Sequence, residues 1–185
     1  MTVEEAIEKR RAYRSLESVD ISIELIRDLS EKAKLAPSCF NNQPWRFVFV
    51  KDKEILEKLH GALSKGNEWA RAASMIIAVF SKKDLDCDLH GREYYLFDTG
   101  MAVAFLILRA TELGYVAHPI AGYREDKVKK ILGIPEEMKV ITLIIFGRHS
   151  EELSPVLLDK QKRDEQERPE RLPMEKFSFL DMYTE

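Results

Sequence analysis

The segment from residue 37 to residue 45 reads PSCFNNQPW and is the most distinctive part of the chain. Two prolines bracket a run of small and amide side chains between a predicted helix and a predicted strand. Amide side chains both donate and accept hydrogen bonds, as the edge of a heterocycle with alternating N–H and C=O groups requires. Loops held by rigid elements often carry such contacts. The segment therefore predicts a binding loop for a flat heterocycle, and an Asn-rich turn that caps its own backbone is the alternative.

Helices and short strands alternate on both sides of this loop. A capping box at Thr2 predicts a first helix. Apolar spacing predicts further helices over residues 22–36, 55–63, 94–113 and 124–132, and buried strands over residues 45–50, 75–80 and 140–146. The helix over 94–113 is apolar nearly all round, which indicates a helix surrounded by protein. On this pattern alone, an α+β and an α/β fold are both open.

The first helix carries an unusual arginine pattern. Val3, Ile7 and Arg10 share one helical stripe, and Arg14 extends it because it lies four residues further on. Guanidiniums that face a core need an anion, since a buried unpaired charge is costly, and the planar fork of arginine suits a phosphate. The pattern favours an anion site. The alternative is a surface helix end whose arginines pair with Glu4 or Glu17.

A third candidate segment follows the buried helix at residues 117–123, which read AHPIAGY. Its small residues let backbone N–H groups come close to a flat ligand. We expect His118 to be structural or to contact substrate, more than to act as an acid or base. Arg148 at the end of a buried strand is a fourth candidate, and on its own it says little.

Composition excludes several classes of protein. The chain has 185 residues, 29 Lys+Arg and 32 Asp+Glu, so no basic field favours nucleic acid as a partner. The N-terminus is acidic, unlike a secretory signal, and the uncharged apolar stretch at residues 99–108 is about half as long as a bilayer span requires. Because only Cys39 and Cys87 occur, we expect no disulfide framework and a cytoplasmic protein.

Metal and nucleotide motifs are also missing. Asp86, Cys87, Asp88 and His90 offer ligand atoms without a recognised metal spacing, so we expect a solvated acidic loop and no metal site. The chain has no Gly-rich dinucleotide fingerprint and no phosphate loop. Cys39 has no adjacent base in the sequence, which argues against a nucleophilic role.

Charge is unevenly distributed between the body, residues 1–150, and the C-terminal arm, residues 151–185. The arm holds 6 Lys+Arg and 10 Asp+Glu, so its formal charge is −4 and that of the body is +1. The arm's charges concentrate between residues 159 and 171, with apolar side chains before and after them. A merely solvated tail does not need two apolar clusters. We therefore predict an extended arm with two anchor points, docked on its own body or on a partner.

In this order, the segments resemble the flavin-dependent nitroreductase family. That family typically opens with Arg-Arg-Ser-x-Arg, here residues 10–14, and continues with Pro-Ser-x-x-Asn-x-Gln-Pro-Trp, intact here at residues 37–45. Weaker matches are the region around Trp69, residues 98–100 at the central helix and residues 114–122. The resemblance covers essentially the whole chain, and the run at 37–45 is its specific part.

The resemblance implies an α+β nitroreductase-like fold with a mainly antiparallel sheet, and a homodimer with FMN at its interface. By the match, the arginines at 10, 11 and 148 contact the phosphate and ribityl chain, and Arg14 lies near the pyrimidine edge. The partner subunit's loop reaches the cofactor, and backbone groups of the 121–122 turn lie near the reactive flavin nitrogen. The implied cofactor-binding residues are Arg10, Arg11, Ala12, Arg14, Pro37, Ser38, Asn41, Gln43, Ala121, Gly122 and Arg148.

The resemblance also implies a function, an oxidoreductase that passes hydride from NADH or NADPH through FMN to a nitro, quinone or similar small acceptor. Because the cofactor carries this chemistry, no side chain needs to be a catalytic acid or base. A specialised flavoenzyme of the same fold and a non-enzymatic flavin-binding dimer are the alternatives. Two positions depart from the family pattern: Ala12 replaces the usual serine, and Phe105 stands where a polar residue is expected.

Overall fold

A computed structural model describes residues 1–184 of the chain. A five-stranded sheet is its centre, and β7 (Lys139–His149) is the strand that organises it. The strand β3 (Met75–Ser81) pairs with one side of β7, and β2 (Arg46–Val50) continues the sheet beyond β3. On its other side β7 pairs with β6 (Val116–Ile120) and, near its end, with β1 (Leu16–Glu17). Every pairing is antiparallel, which confirms the α+β class and excludes the α/β alternative.

Within the described residues, six α-helices surround this sheet, and a separate hairpin leads into the longest of them. The hairpin pairs β4 (Asp88–Leu89) with β5 (Arg92–Glu93). The helices are α1 (Val3–Lys9), α2 (Ile23–Ala33), α3 (Lys53–His60), α4 (Tyr94–Glu112), α5 (Glu125–Leu132) and α6 (Asp159–Gln166). No helix within residues 1–184 is long and apolar enough to cross a bilayer.

Local signals explain where several helices begin and end. The Thr2 side chain accepts the N–H of Glu5 at 3.1 Å while the Glu5 carboxylate accepts the N–H of Thr2, so the predicted capping box is present. The side chains of Ser22 and Asp52 likewise accept backbone N–H groups in the first turns of α2 and α3. Gly133 ends α5 with a φ of 66°, a left-handed conformation that favours glycine.

The two faces of the sheet bury two hydrophobic cores, because alternate strand residues point to opposite faces. Ile76, Ala78 and Ile145 face the core under α3 and α5. Ile77 and Ile144 face the core under α2 and α4. The helix α4 contributes seven buried residues, but Phe97 and Phe105 on another face are exposed, so the expectation of a helix surrounded by protein is wrong within the single chain.

The C-terminal arm begins after β7 and returns across its own body. Leu157 is buried in the core under α3 and α5, and the Ser154 N–H donates to the Ser15 hydroxyl at 2.9 Å. The Gln161 amide donates to the carbonyl of Gly66 at 2.9 Å. The charged run at 159–171 contains α6, so this part of the arm is helical. The apolar side chains that follow are exposed: Leu172, Met174, Phe177, Phe179 and Leu180.

Candidate functional site

The first helix is shorter than predicted, which changes how its arginines are held. The helix α1 ends at Lys9, and Arg10 is the capping residue. The expectation that Arg10 and Arg14 share one helical face is therefore wrong. The reason lies in the arm: the buried Glu165 carboxylate accepts the backbone N–H groups of Arg14 and Ser15. Those groups are satisfied by a side chain, so the backbone leaves the helix and runs on to β1.

Glu165 also belongs to a wider contact between the arm and residues 10–15. The Arg11 guanidinium donates to the carbonyls of Asp164 at 2.9 Å and Glu165 at 3.1 Å. It also lies 5.0 Å from the centre of the Tyr13 ring, and that ring stacks on His149 at 3.7 Å. The arm thus fixes the segment whose arginines were predicted to hold a phosphate.

Four arginines meet at this junction and form what we call the arginine cluster: Arg10, Arg11, Arg168 and Arg171. Arg168 donates to the backbone carbonyls of Glu8 and Arg10. Burial lowers the pKa of Arg10, and the charges of Arg168, Arg171 and Arg11 lower it further. Within residues 1–184 no carboxylate lies within ion-pair distance of these four guanidiniums. Arg10 and Arg11 are half-buried, while Arg168 and Arg171 are exposed. Like charges gathered in this way favour an anion between them, so the cluster is a candidate anion site.

The rings of Trp69 and His118 pack against each other near Arg14. Trp69 is buried, and its indole Nε1–H has no hydrogen-bond partner within the described chain. The His118 ring lies 4.8 Å from the Trp69 ring, and the Arg14 guanidinium lies 6.0 Å from it. An orphaned buried donor is uncommon in a folded protein. The indole N–H is therefore a candidate contact for a ligand.

His118 is neutral at physiological pH. Its Nδ1 lies 3.0 Å from the carbonyl oxygen of Tyr13, which can only accept, so Nδ1 carries the proton of the neutral ring. Burial lowers the pKa of His118 to about 4 from an ordinary 6.5, and the charge of Arg14 works in the same direction. The structure assigns His118 a structural place between Tyr13 and Trp69, in line with the sequence-based expectation.

We expect His118 to make stability depend on acid pH. The folded-state pKa lies below the unfolded one, so the unfolded chain binds the proton first as pH falls. The contribution of the neutral ring is complete above pH 6.5 and is lost between pH 6.5 and about 4, a change of about 3 kcal/mol. Urea unfolding of wild type and His118→Asn over this range measures it. The variant should show the shallower dependence, and parallel pH profiles would contradict the assignment.

The 121–122 turn lies against Asn67, a residue that the sequence did not single out. The Asn67 amide donates to the carbonyl of Gly122 at 3.0 Å, and the Ser64 N–H donates to the same carbonyl at 2.9 Å. A Cβ built on Gly122 would lie 2.4 Å from Nδ2 of Asn67. Glycine is therefore required by the close approach of a side chain that fixes the turn, while Ala121 stays exposed.

Gly122→Ala should lower the free energy of unfolding by about 1–3 kcal/mol, because the new methyl group displaces the Asn67 amide from its carbonyl. The same substitution should have a smaller effect in an Asn67→Ala background. Gly100→Ala is the matched control, since a Cβ there meets nothing within 4 Å and a helical site favours alanine. Equal losses for Gly122→Ala in both backgrounds would argue against the contact.

The 37–45 loop has an unusual backbone that its own side chains hold. Phe40, Asn41 and Gln43 have φ values of 47°, 58° and 49°, in the left-handed region. The Ser38 hydroxyl accepts the N–H of Gln43 at 3.0 Å. The Asn-rich turn that was the alternative is thus present, because the segment does bond to its own backbone. Nevertheless Asn41 stays exposed and free to meet a ligand or a partner.

A side chain near the start of α4 holds the 37–45 loop by a hydrogen bond. The buried Asp98 carboxylate accepts the N–H of Cys39 at 2.6 Å. Burial raises the pKa of Asp98, and the neighbouring Asp86 carboxylate raises it further. The Ser81 hydroxyl donates to the carbonyl of Pro44 at 2.8 Å at the other end of the loop. Asp98 and Ser81 are therefore positioning residues that the sequence alone did not reveal.

The two cysteines are bonded to each other, against the expectation of a chain without disulfides. Cys39 in the loop joins Cys87, which precedes the β4–β5 hairpin, at a sequence separation of 48 and with 6.2 Å between their Cα atoms. The Asn42 amide lies 3.3 Å from the Asp86 carboxylate. A carboxylate oxygen of Asp86 and the two cysteine sulfurs all lie within 4.8 Å of one another. The two sulfurs are bonded to each other. The expectation of a solvated acidic loop without a metal site stays a prediction.

The predicted site residues fall into two groups within one chain. Residues 10–14 lie with the 118–122 segment, through His118 and Tyr13, on the face under α3 and α5. The 37–45 loop lies at the start of α4, and within residues 1–184 no hydrogen bond or ion pair joins it to residues 10–14. Ala12 is exposed in the first group. Arg148 is exposed and lies 5.7 Å from the Tyr115 ring, on the face opposite that of His149.

Several residues of the site were missed because their signals resemble ordinary surface patterns. Arg168, Arg171 and the buried Glu165 belong to a charged run that usually indicates a solvated segment. A weak signal existed, because apolar residues flank that run on both sides.

Comparisons with known proteins agree with this geometry. The model of the family described as the nitroreductase family matches residues 7–68 and 63–148 of the chain. A protein of Archaeoglobus fulgidus is 30% identical in a match of length 172 that covers 91% of this chain and 94% of that protein. It carries the provisional name NADH dehydrogenase/NAD(P)H nitroreductase.

Solved structures are similar over most of their length. A crystal structure described as an oxidoreductase containing FMN has a TM-score of 0.85 and 29% identity, and the match covers 100% of this chain and 94% of that one. A nitroreductase from Exiguobacterium sibiricum in complex with FMN, also provisionally named, has a TM-score of 0.73 and 25% identity, with 88% and 95% covered. The family match, the relative and the shared fold together show that the chain belongs to the nitroreductase family and is an oxidoreductase.

Proposed function

We propose that the chain binds FMN and works as a flavin-dependent oxidoreductase. The observation that carries the proposal is the arginine cluster, which gathers four guanidiniums without a carboxylate within ion-pair distance in the described chain. A phosphate monoester accepts several charge-assisted hydrogen bonds, so it meets the requirement of such a cluster. The FMN content of the two structural neighbours supports the same cofactor.

The residues present fit the rest of the cofactor as well. The Trp69 N–H has no hydrogen-bond partner within the described chain, and Gly122 leaves room for the Asn67 amide that fixes the 121–122 turn. In this proposal Arg10, Arg11 and Arg171 hold the phosphate, and Arg14 lies at the pyrimidine edge. The backbone of Ala121 and Gly122 borders the reactive part of the ring.

The bound flavin would supply the redox chemistry, taking hydride from NADH or NADPH and passing electrons to a nitro, quinone or similar small acceptor in a ping-pong cycle. The chain's own part is to bind, to orient and to place charge. The Arg14 guanidinium supplies a fixed positive charge, which favours the reduced, more negative cofactor. His118 is neutral, so it adds no second charge.

We propose that the second group of site residues comes from a partner copy. The 37–45 loop, which carries Pro37, Ser38, Asn41 and Gln43, makes no hydrogen bond or ion pair with residues 10–14 within the described residues 1–184. Several large apolar side chains are exposed on α1, after α2 and on α4: Val3, Ile7, Leu35, Phe97 and Phe105. Exposed apolar surface of this extent is typical of an interface. A homodimer would cover it, and the exposed ring of Phe105 would then lie in the interface.

The absorption spectrum of the purified protein tests the proposal. We expect flavin bands in the protein as isolated or after addition of FMN and gel filtration. Sedimentation of the same sample should give a dimer of the 21.5 kDa chain. A protein that retains no flavin after reconstitution would contradict the proposed cofactor, and a monomer at micromolar concentration would contradict the shared site.

Turnover separates the proposal from its two alternatives. Oxidation of NADH or NADPH with a nitro or quinone acceptor supports the nitroreductase activity. Bound FMN that reduced nicotinamide reduces, without turnover of these acceptors, favours a specialised flavoenzyme of this fold. Bound FMN that reduced nicotinamide does not reduce favours a flavin-binding dimer without activity. The cytoplasmic location stays a prediction from composition.

A further inference from the structure

The Cys39–Cys87 bond joins two parts of the chain that do not pack through a common core. Cys39 lies in the 37–45 loop, and Cys87 lies in the excursion between β3 and α4. Their Cα separation of 6.2 Å is within the ordinary range for a disulfide. The bond therefore couples the state of two sulfurs to the position of a loop that has a role in the proposed site.

The conformation of the 37–45 loop depends on the Cys39–Cys87 bond more than that of a helix or strand would. Phe40, Asn41 and Gln43 hold left-handed φ values, which non-glycine residues adopt only when their surroundings impose them. Phe40 is 88% exposed, so no packing of its own ring holds the tip. Within residues 1–184, the other side-chain contacts between the loop and the excursion come from the exposed Asn42 amide, which lies 3.3 Å from the Asp86 carboxylate and 3.6 Å from the Cys87 sulfur. The bond to Asp98 fixes only the backbone at Cys39.

The bond also lies near the surface of the described chain. Both cysteines are half-buried, so their sulfurs are not sealed in the core. Exposed disulfides are those that thiols reach and that act in regulation or catalysis. The bond connects surface segments, while two hydrophobic cores under the sheet stabilise the rest of the fold. Its reduction should therefore change the loop without unfolding the domain.

We propose that Cys39 and Cys87 form a reversible thiol–disulfide switch that sets the affinity of the protein for FMN through the conformation of the 37–45 loop. A dithiol reductant of the thioredoxin type transfers two electrons and two protons. The Cys39–Cys87 bond breaks, two thiols form, and the reductant becomes a disulfide. A disulfide oxidant reverses the step. The bonded form preorganises the loop, and the dithiol form must order it on binding. The inference rests on the proposed binding of FMN.

Two measurements test the switch, and only one of them uses FMN. Thiol titration of the air-equilibrated, denatured protein should find no free thiol, and treatment with dithiothreitol should release two. Hydrogen exchange at residues 38–43 should then accelerate, while β3 and β7 stay protected. Two free thiols before reduction would overturn the proposal, as would unchanged exchange in the loop.

Fluorescence titration with FMN, in EDTA to remove adventitious metal, should give about tenfold weaker binding after reduction. Cys39→Ser, Cys87→Ser and the double variant should bind as weakly as the reduced protein in either buffer. Equal affinity in both redox states would overturn the switch. Absence of FMN binding in both states contradicts the proposed function instead, and the exchange experiment still decides whether the bond controls the loop.

Discussion

Arg10→Ala is expected to weaken FMN binding by about 1.5–3 kcal/mol, a loss of roughly 10- to 150-fold in affinity. Arg10 is half-buried at the end of α1, and the neighbouring charges that lower its pKa are all cationic. A phosphate placed there loses a charge-assisted partner in the variant. Because the neighbouring arginines remain, the protein should keep its fold. Fluorescence titration of the apoprotein with FMN measures the effect.

Two controls separate this effect from a general loss of charge. Arg27→Ala removes an exposed arginine of α2 that makes no ion pair in the described chain, and it should leave the affinity unchanged. Arg171→Ala should resemble Arg10→Ala, because Arg171 belongs to the same cluster. Arg148→Ala should have the smaller effect, since its guanidinium lies beside Tyr115. A loss of FMN affinity seen only in Arg148→Ala would indicate that the phosphate binds on the other face of the sheet.

Glu165→Ala is expected to have the largest effect on stability, about 2–4 kcal/mol of the free energy of unfolding. The variant leaves the N–H groups of Arg14 and Ser15 without their acceptor in a buried place. It also loosens the arm, because the lost carboxylate joins α6 to the backbone of residues 14 and 15, and within the described chain only the contacts of the Arg11 side chain with the backbone of residues 164 and 165 remain there. Urea unfolding measures the loss, and limited proteolysis should cut the arm first.

Glu165→Gln keeps one acceptor oxygen and should lose less than the alanine variant. Glu167→Ala removes a nearby exposed carboxylate and is the matched control, with an expected change within about 0.5 kcal/mol. If Glu165→Ala behaved like Glu167→Ala, the arm would not hold the arginine segment. The FMN affinity of Glu165→Ala should also fall, since the segment that it fixes carries Arg10 and Arg11.

The main elements of the fold were predictable because their patterns are local. The strands at 45–50, 75–80 and 140–146 and the helix at 94–113 agree with the structure in position, although the helix is not buried on every face. The strand β6 was not predicted, because Pro119 interrupts it and its segment reads as a loop. In the sheet β6 pairs only with β7, so it is an edge strand, where a missing N–H is tolerated. Whether a strand lies at the edge of a sheet depends on the tertiary structure, so the local sequence of β6 does not show it.

The site was predictable in residue types and less so in geometry. The sequence singled out the loop, the arginine segment and the 121–122 turn, and the structure builds each of them. The early end of α1 depends on Glu165, which lies about 150 residues away in the chain. The pairing of Cys39 with Cys87 likewise depends on how the loop and the excursion meet. Long-range contacts of this kind leave no periodic signal in the sequence.

The central claim is that each FMN site combines the arginine cluster of one copy with the 37–45 loop of the other. A mixed dimer tests it most directly: one chain carries Arg10→Ala and Arg171→Ala, and the other carries Asn41→Ala and Gln43→Ala, purified through two different tags. One site of this dimer joins two intact halves, and the other joins two impaired halves. We predict one FMN bound per dimer with wild-type affinity. Two equally weakened sites per dimer would contradict the shared site.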